Sequence, residues 1–258
     1  CFGSRWSQVQ ILLPRPLKLN DNQIVIIGGG LQGLATAFTL IQRGENVLVL
    51  ERDSDVASSA SFANAGMLTP SQSSPWNSPA DILQILSGMG KKDSPMTMSP
   101  FAIPSLINWG LKFLINSTPK RFDRITSNLF ALGSYSKDLT KDLREKFNLS
   151  YDESERGTLK IYRKPENFEK AVKKLSSIFP DKSDVSILDN NQLVNLEPQL
   201  KDIKSKLSGG IHFSNDETGD AYKFCKHLEE LIRSNGGRIL TNTKINKILI
   251  DKNKVNCV

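Results

Sequence analysis

Residue types that bind transition metals or form disulfides are scarce in this 258-residue chain, which has three cysteines and two histidines. Cys1, Cys225 and Cys257 are far apart and lack any CxxC spacing, so neither a disulfide framework nor a zinc site is indicated. His212 and His227 are not at metal-ligand spacing with each other or with Cys225. We therefore expect no metal site, and a reducing, cytoplasmic compartment fits the cysteine usage best.

Long hydrophobic runs are also missing. The longest apolar-leaning stretch, Phe101–Ile115, is interrupted by a proline, an asparagine and a lysine, and it is shorter than the roughly 20 residues that cross a bilayer. Near the start, the apolar run Ile11–Leu13 is too brief for the core of a signal peptide. We predict no transmembrane helix, and we interpret residues 1–22 as a disordered extension.

The charge of the chain is basic but dispersed. Its 34 lysines and arginines against 27 acidic residues give a net charge of +7, and the hydrophobic fraction of 38% is typical of a soluble globular protein. A nucleic-acid-binding protein would gather its positive charge into a patch or stripe, which is not seen here. We therefore expect no nucleic-acid partner.

A glycine-rich pattern follows the first apolar run. Ile24–Ile27 is continuous and β-branched, as expected for a parallel strand with helices on both faces. It leads into G-x-G-x-x-G, in which Gly28 permits a tight turn, Gly30 lets a pyrophosphate approach the backbone and Gly33 allows close helix–strand packing. The predicted helix would offer free N–H groups to phosphates, and its core-facing residues are Leu34, Ala35, Phe38 and Ile41.

An acidic residue completes the pattern. The second apolar strand, Val47–Leu50, delivers Glu51 at its carboxyl end, roughly 20 residues after the glycines, where a carboxylate accepts hydrogen bonds from ribose hydroxyls. Such a carboxylate repels a 2′-phosphate, so FAD or NAD is favoured over NADP. The segment from Arg52 to Gly66 is rich in small residues, which suits close backbone approach to a bulky cofactor.

Three segments resemble one enzyme family. Ser61–Gly66 (S-F-A-N-A-G), Gly157–Lys160 (G-T-L-K) and Asn215–Asp220 (N-D-E-T-G-D) look like the corresponding stretches of the bacterial D-amino-acid dehydrogenases, in the glycine oxidase and D-amino-acid oxidase superfamily. The similarity covers residues 23–258, and the acidic motif, with six consecutive residues, is its most specific part.

The resemblance implies an α/β fold: a Rossmann-like FAD-binding domain with an inserted α+β substrate-binding domain, and with the C-terminal part missing. We predict that residues 23–80 form the first part of the FAD-binding domain and 81–208 mainly the substrate-binding domain. Residues 209–258 return to the FAD-binding domain.

FAD is the cofactor that the resemblance implies, and we name no catalytic residue. The backbone of Ile245 is expected to meet the adenine ring. The predicted cofactor-binding residues are Gly28, Gly30, Leu31, Gln32, Gly33, Glu51, Arg52, Ser59, Ser61, Asn64, Ala65, Gly66 and Ile245.

Several of these polar residues also have a purely structural interpretation. Ser61 could bond its own backbone, Asn64 could cap a turn, and Asp216 with Asp220 could only begin a helix. The acidic motif is better explained as structural, and the Ser61–Gly66 loop as a cofactor contact. For Trp76 and Trp109, packing is the favoured role, with a substrate lid as the alternative.

The implied reaction moves hydride from the α-carbon of a D-amino acid to the flavin, giving a 2-oxo acid and ammonia after hydrolysis. A respiratory quinone or another electron acceptor would take the electrons, with peripheral contact to the bacterial inner membrane. Two alternatives stay open. One is another oxidase or dehydrogenase of the superfamily, acting on glycine, sarcosine or a small hydroxy acid, and the other is a truncated, non-catalytic fragment.

Periodicity predicts further elements downstream. The strand over residues 158–162 should bury Leu159 and Ile161, and a capping box is expected at Asp189 with Gln192. Strands are also expected at residues 238–240 and 243–245. Three helices are also expected. The first should bury Leu129, Leu132, Leu139, Leu143 and Phe147. The second should bury Phe168, Ala171, Val172 and Leu175, and the third Phe224, Leu228 and Leu231.

Overall fold

The computed structural model describes residues 23–78, 103–178, 184–251 and 254–257, so the predicted extension at residues 1–22 lies outside them. Its α-helices are α1 (Leu31–Gln42), α2 (Ile103–Asn116), α3 (Pro119–Phe147), α4 (Pro165–Ile178), α5 (Asn190–Leu196) and α6 (Ala221–Ser234). Its strands are β1 (Gln23–Ile27), β2 (Asn46–Leu50), β3 (Met67–Leu68), β4 (Thr158–Tyr162), β5 (Val185–Leu188), β6 (Gly209–Phe213), β7 (Glu217–Thr218), β8 (Arg238–Leu240), β9 (Leu249–Asp251) and β10 (Lys254–Cys257). Short 3₁₀ segments cover Pro70–Gln72 and Pro198–Lys206.

The chain divides into two units, and their limits differ from the predicted domain boundaries near residues 80 and 208. The described part of the first unit is residues 23–65 together with the chain from Asp220 onward, and the second unit is Gly66–Gly219. The difference arises because β6 pairs with β4 and β5, and because β3 and β7 pair with each other, so all of these strands belong to the second unit.

The first unit is built on a parallel sheet in the order β1-β2-β8. All four apolar residues of the predicted strand Val47–Leu50 are buried, as expected for a central parallel strand. Strand β1 lies at one end of this order and is only partly covered, so that Ile27 is 52% exposed. The expectation that β1 is covered on both faces is therefore wrong.

Helices α1 and α6 pack against each other in this unit. In α1 the fully buried residues are Leu34, Ala37 and Phe38, whereas the predicted Ala35 and Ile41 are half-buried. In α6 the buried residues are Phe224, Cys225, Leu228 and Ile232, with Leu231 half-buried. Both predicted helices are confirmed, with the buried stripe turned slightly from its expected position.

The second unit contains an antiparallel sheet in the order β4-β6-β5. Its core is Leu175, Ile211 and Phe213, and Phe168, Ala171 and Val172 of α4 pack against it as predicted. Tyr162 of β4 also joins this core, whereas Ile161 is 38% exposed, so the predicted burial of Ile161 is wrong. The face of β4 that carries Tyr162 is the one that meets the core cluster.

The capping box at the start of α5 is confirmed. The Asp189 carboxylate accepts hydrogen bonds from the backbone N–H groups of Asn191 and Gln192, and the Gln192 side chain accepts one from the backbone N–H of Asp189. These bonds satisfy N–H groups that have no partner inside the helix.

Helix α3 buries a different face from the one that its leucines predict. Leu129, Leu132 and Leu139 are exposed, and the buried residues are Phe122, Thr126, Lys137 and Arg144. A buried cation requires a partner, because desolvation of an unpaired charge costs several kcal/mol, about 3 to 5 when one member of a buried pair is removed. The partners of Lys137 and Arg144 decide which face is turned inward.

Those partners lie in the Asn215–Asp220 motif. Lys137 Nζ donates to Asn215 Oδ1, and Arg144 Nη1 donates to Glu217 Oε2 at 2.8 Å. The Arg144 guanidinium also donates to the Tyr151 hydroxyl at 3.1 Å and to Glu155 at 2.6 Å. Two acceptors of the motif thus hold the two buried cations of the helix.

Two further residues of the motif, Asp216 and Asp220, also accept hydrogen bonds. The buried Asp216 carboxylate accepts hydrogen bonds from the Ser71 backbone N–H and hydroxyl and from the Thr158 hydroxyl, at 2.5–3.2 Å. Asp220 caps α6 by accepting from the backbone N–H of Lys223 at 3.0 Å. The interpretation that these residues begin a helix is therefore confirmed for Asp220. It is wrong for Asp216, which links the loop after β3 to strand β4.

Gly66 and Gly219 lie side by side at the limits of the second unit. The Gly219 N–H donates to the Gly66 carbonyl at 2.8 Å, and a Cβ on Gly66 would lie 2.3 Å from the Gly219 carbonyl oxygen. The φ of Gly66 is also +59°, a region that side chains disfavour. A glycine at position 66 is therefore required by packing inside this unit.

Replacing Arg144 by methionine tests the buried ion pair. The change leaves Glu217 buried without its cation, and we expect it to lower the free energy of unfolding by about 3–5 kcal/mol. The control is Lys141→Met on the same helix, where the lysine is more exposed and its pairs should contribute about 1 kcal/mol or less. Denaturant unfolding measures both, and equal losses would contradict the assignment.

Candidate functional site

The turn after β1 is set by two glycines of the predicted pattern. Gly28 has φ +106° and its N–H donates to the Leu50 carbonyl at 2.8 Å. A Cβ on Gly33 would lie only 2.0 Å from the Gly28 carbonyl oxygen, so the first turn of α1 rests directly on the end of β1. The predicted roles of these glycines in the turn and in helix–strand packing are confirmed.

The start of α1 has no acidic group of its own. Gly30 occupies the N-cap position, where it has no side chain to accept from the first turn, and that turn contains no acidic residue. The Leu31 N–H donates to the Ser61 hydroxyl oxygen at 3.1 Å, which places Ser61 at the helix end. The first turn of α1 thus contributes no negative charge of its own, and the positive end of the helix dipole suits an anion.

Glu51 is held beside this turn. It is 9% exposed, its Oε2 accepts from the Gly29 N–H at 2.6 Å, and its Oε1 accepts from the Asp53 N–H at 2.9 Å. Its backbone is fixed as well, because Glu51 N–H donates to Leu240 and the Glu51 carbonyl accepts from Thr243. A carboxylate has about four acceptor positions, so two bonds leave room for ribose hydroxyls.

The residues just after Glu51 form a small polar cluster. Asp53 accepts hydrogen bonds from the Ser58 and Ser59 hydroxyls at 3.2 and 2.9 Å, and it pairs with the exposed Arg52 at 3.5 Å. Ser59 and Arg52 are therefore tied to Asp53 on the surface, next to the backbone of Glu51.

The loop that follows is fastened to α6. Asp55 accepts from the Tyr222 hydroxyl at 3.0 Å and from Lys226 Nζ at 2.8 Å, while Phe62 and Tyr222 meet edge to face with ring centroids 5.1 Å apart. Lys226 and Arg233 both bond Glu229, at 2.6 and 2.9 Å. This network connects residues more than 160 positions apart, so no local pattern in the sequence signals it.

The same contacts shift the acidity of their groups. The hydrogen bond from Lys226 lowers the pKa of the Asp55 carboxyl, although slight burial acts in the other direction. The bond to Asp55 raises the pKa of the Tyr222 hydroxyl. Burial opposes the charge of Lys226, but its bonds to Asp55 and Glu229 raise its pKa above the ordinary lysine value. At neutral pH the carboxylate is thus ionised and both donors carry their protons.

The predicted residues are not all brought together. Gly28, Gly30, Leu31, Gln32, Gly33, Glu51 and Ser61 line one turn, with Gln32 exposed and Gly33 facing β1. Asn64 and Ala65 are exposed, and Gly66 belongs to the second unit. Their role in cofactor binding stays a prediction.

The segment that carries Ile245 is not a strand. Residues 241–248 have no regular secondary structure, so the strand predicted at 243–245 is wrong, and Ile245 is half-buried. Thr243 nevertheless bonds the Glu51 carbonyl, and Asn242 bonds the Asp53 carbonyl, so the segment runs alongside the residues that follow β2.

Sequence patterns missed one backbone donor of this site. The Gly29 N–H holds Glu51, and a Cβ on Gly29 would lie 3.1–3.2 Å from Val56 and Glu51. The signal was available, since Gly29 makes three glycines in a row where the pattern requires only two. Within the described ranges, no cluster of three His, Cys, Asp or Glu side chains is arranged to bind a metal.

One protein family and several curated relatives match almost the whole of this chain. A family model described as DAO, FAD dependent oxidoreductase, matches residues 23–258. A D-amino acid dehydrogenase of Vibrio cholerae is 31% identical over 233 residues, 90% of this chain and 55% of the relative. D-amino acid dehydrogenase 1 of Mesorhizobium japonicum is 33% identical over 90% of this chain and 56% of its own length. The chain thus spans about half the length of these curated relatives.

A solved structure shares the fold. The L-α-glycerophosphate oxidase of Mycoplasma pneumoniae, with FAD bound, superposes with a TM-score of 0.57 at 19% identity, over 88% of this chain and 48% of that one. The family match extends from β1 through the glycine turn, Glu51 and the acidic motif to the last residue. The chain belongs to the DAO family of FAD-dependent oxidoreductases.

Proposed function

We propose that this protein oxidises D-amino acids with FAD and passes the electrons to an acceptor other than the substrate. The observation that carries the proposal is the position of Glu51, fixed by the Gly29 N–H beside the start of α1, where the N-cap residue is a glycine without a side chain. The substrate class rests on similarity to the two curated D-amino acid dehydrogenases. The acceptor that we propose is a respiratory quinone.

The residues present suit FAD. The first-turn N–H groups of α1 supply donors for a pyrophosphate, and Gly30 leaves the backbone accessible to it. Glu51 has acceptor capacity for ribose hydroxyls and would repel a 2′-phosphate. Ser61, at the Leu31 N–H, lies where its hydroxyl can bond a phosphate oxygen.

We assign the first unit to the cofactor and the second to the substrate. The first unit contains the glycine turn and Glu51, and the second contains the antiparallel sheet β4-β6-β5. When bound, FAD supplies the chemistry by accepting hydride from the α-carbon of the amino acid. This chain's own residues bind and orient the nucleotide part, and none is assigned to the chemical step.

Spectroscopy of the purified protein tests the proposal. We expect a flavin absorption band that D-alanine bleaches under anaerobic conditions, because hydride transfer reduces the flavin, and that L-alanine leaves unchanged. Oxidised flavin that persists with every D-amino acid would contradict the substrate class. Absence of a flavin band after incubation with FAD would contradict the cofactor site.

Replacing Glu51 by glutamine tests the ribose site. Glutamine keeps the size and one acceptor oxygen but removes the charge, and loss of one charge-assisted hydrogen bond should raise the Kd for FAD about tenfold. Glu45→Gln is the matched control, since Glu45 is exposed in the turn before β2. Fluorescence titration measures the Kd for FAD of both variants, and an equal Kd would contradict a role for Glu51 in FAD binding.

Peripheral contact with an anionic bilayer is the second part of the proposal. None of the helices in the described ranges is long and apolar enough to span a membrane. On α2, however, Ile107, Leu111, Leu114 and Ile115 are all exposed, and their spacing places them on one helical face. The helix has no acidic residue, and Lys120, Arg121 and Arg124 follow it in the first turns of α3. An apolar stripe beside basic residues is suited to a negatively charged lipid surface.

Aromatic residues extend this surface. Trp109 of α2 stacks on Phe113 with ring centroids 5.0 Å apart, and Trp76 lies 6.0 Å from Trp109. Each tryptophan thus contacts another ring while about half of its surface stays exposed. Tryptophan is favoured where one end of a ring is apolar and the other is wet.

Co-sedimentation with phosphatidylglycerol vesicles tests the membrane contact. Leu114→Ser should weaken vesicle binding about tenfold, because a buried leucine contributes about 1.5–3 kcal/mol. Leu196→Ser is the matched control, because Leu196 is on another helix and its exposure of 48% is close to the 50% of Leu114. Binding that is equal for the two variants, or that is absent in the unaltered protein, would contradict a membrane role for α2.

A further inference from the structure

We infer that Asp55 and Tyr222 are positioning residues for FAD: together they clamp the loop after β2 onto α6 and so hold Ser61 at the start of α1. The inference rests on the proposed function. It concerns residues outside the glycine pattern and outside the ribose position, and neither residue is placed in contact with the cofactor.

The clamp joins α6 to two points of the loop. The Tyr222 hydroxyl donates to Asp55 Oδ2 at 3.0 Å. The ring of Tyr222 also packs edge to face against Phe62, which is seven residues after Asp55 in the chain. Lys226 adds a bond to Asp55 Oδ1 at 2.8 Å. One residue of α6 therefore fixes both the beginning and the end of the segment 55–62.

Ser61 lies next to the second of these points. Its hydroxyl oxygen accepts from the Leu31 N–H, and a Cβ on Gly30 would lie 3.3 Å from that oxygen. A displacement of Phe62 by even one ångström would therefore move Ser61 relative to the free N–H groups of α1. The position of the hydroxyl at the phosphate-binding end depends on a contact made by α6.

The loop contains a residue with a strained backbone conformation. Ala57 is buried with φ +55°, a left-handed conformation that costs a residue other than glycine about 1 kcal/mol or more. Its N–H donates to the Gly29 carbonyl at 2.9 Å, so this strained residue also touches the glycine turn. A strained conformation persists only where surrounding contacts fix it, and Asp55, two residues earlier, provides such a contact.

Helix α6 provides a rigid support for the clamp. Phe224, Cys225, Leu228 and Ile232 are buried on its inner face, and Asp220 caps its start two residues before Tyr222. Glu229 bonds both Lys226 and Arg233, which limits the freedom of the Lys226 side chain. The ionised state of Asp55, favoured by its lowered pKa, keeps both donors bonded at neutral pH.

A double-mutant cycle on FAD binding tests the inference. Tyr222→Phe keeps the ring on Phe62 and removes only the hydroxyl, and we expect the Kd for FAD to rise about fivefold, as for one lost hydrogen bond. Asp55→Ala should raise it at least as much, and the double variant no more than Asp55→Ala alone, because both changes remove the same contact. Glu230→Gln, on the same helix and exposed, is the control.

Thermal unfolding of the FAD-free variants separates positioning from general stability. The Asp55 carboxylate is 41% exposed, and exposed pairs contribute about 1 kcal/mol or less, so the unfolding temperature should change little. Amide exchange of residues 56–62 should rise in Tyr222→Phe and not in Glu230→Gln. Asp55→Asn, which keeps an acceptor oxygen, replaces Asp55→Ala in the cycle if the alanine variant does not fold.

The outcomes are distinguishable. An unaltered protein that does not bind FAD would overturn the proposed function, and this inference with it. An unaltered protein that binds FAD, with variants of equal Kd or with strictly additive effects, would overturn the clamp alone. So would a loss of FAD affinity that merely follows a fall in unfolding temperature.

Discussion

The contact between Gly33 and the Gly28 carbonyl sets the geometry of the candidate nucleotide site. With only 2.0 Å available for a Cβ, the helix can begin directly on the end of β1 only if position 33 is glycine. The start of α1 then lies beside Glu51, the residue that follows β2. Glu51 is close enough for its carboxylate to bond the Gly29 N–H, so the groups that we propose bind phosphate and ribose share one turn of backbone.

The second unit depends on a different kind of interaction. A 29-residue helix turns two cations inward, and the acidic motif receives them through Asn215 and Glu217. Asp216, from the same run, accepts a hydrogen bond from a loop hydroxyl, and Asp220, the first residue after the second unit, caps the start of α6. The composition of this motif therefore has a structural cause: four of its six side chains accept hydrogen bonds, and Gly219 is packed too closely for a Cβ.

Local patterns predicted the parts of the fold that local physics decides. The glycine turn, the buried strand β2, helix α6 and the Asp189–Gln192 capping box each follow from spacing over a few residues. The inward face of α3 could not be predicted in this way, because Arg144 is buried against Glu217, 73 positions away, while three of the four leucines of the periodic stripe are exposed and Leu143 is half-buried. The loop clamp at Asp55 and Tyr222 was missed for the same reason.

The candidate site shows the same division. Glu51 and the three glycines could be named from their order along the chain, but the hydrogen bond from Gly29 and the placement of Ser61 at the Leu31 N–H depend on loop geometry. The strand expected at residues 243–245 did not form, and only backbone bonds from Asn242 and Thr243 keep that segment beside β2. Family membership supplies the cofactor, and the geometry supplies the residues that we propose bind it.

A crystal structure of the protein with FAD tests the central claim most directly. We predict pyrophosphate oxygens accepting from the first-turn N–H groups of α1, and ribose hydroxyls donating to the Glu51 carboxylate. An adenosine part that binds elsewhere, with Glu51 still bonded only to the Gly29 and Asp53 N–H groups, would contradict the account.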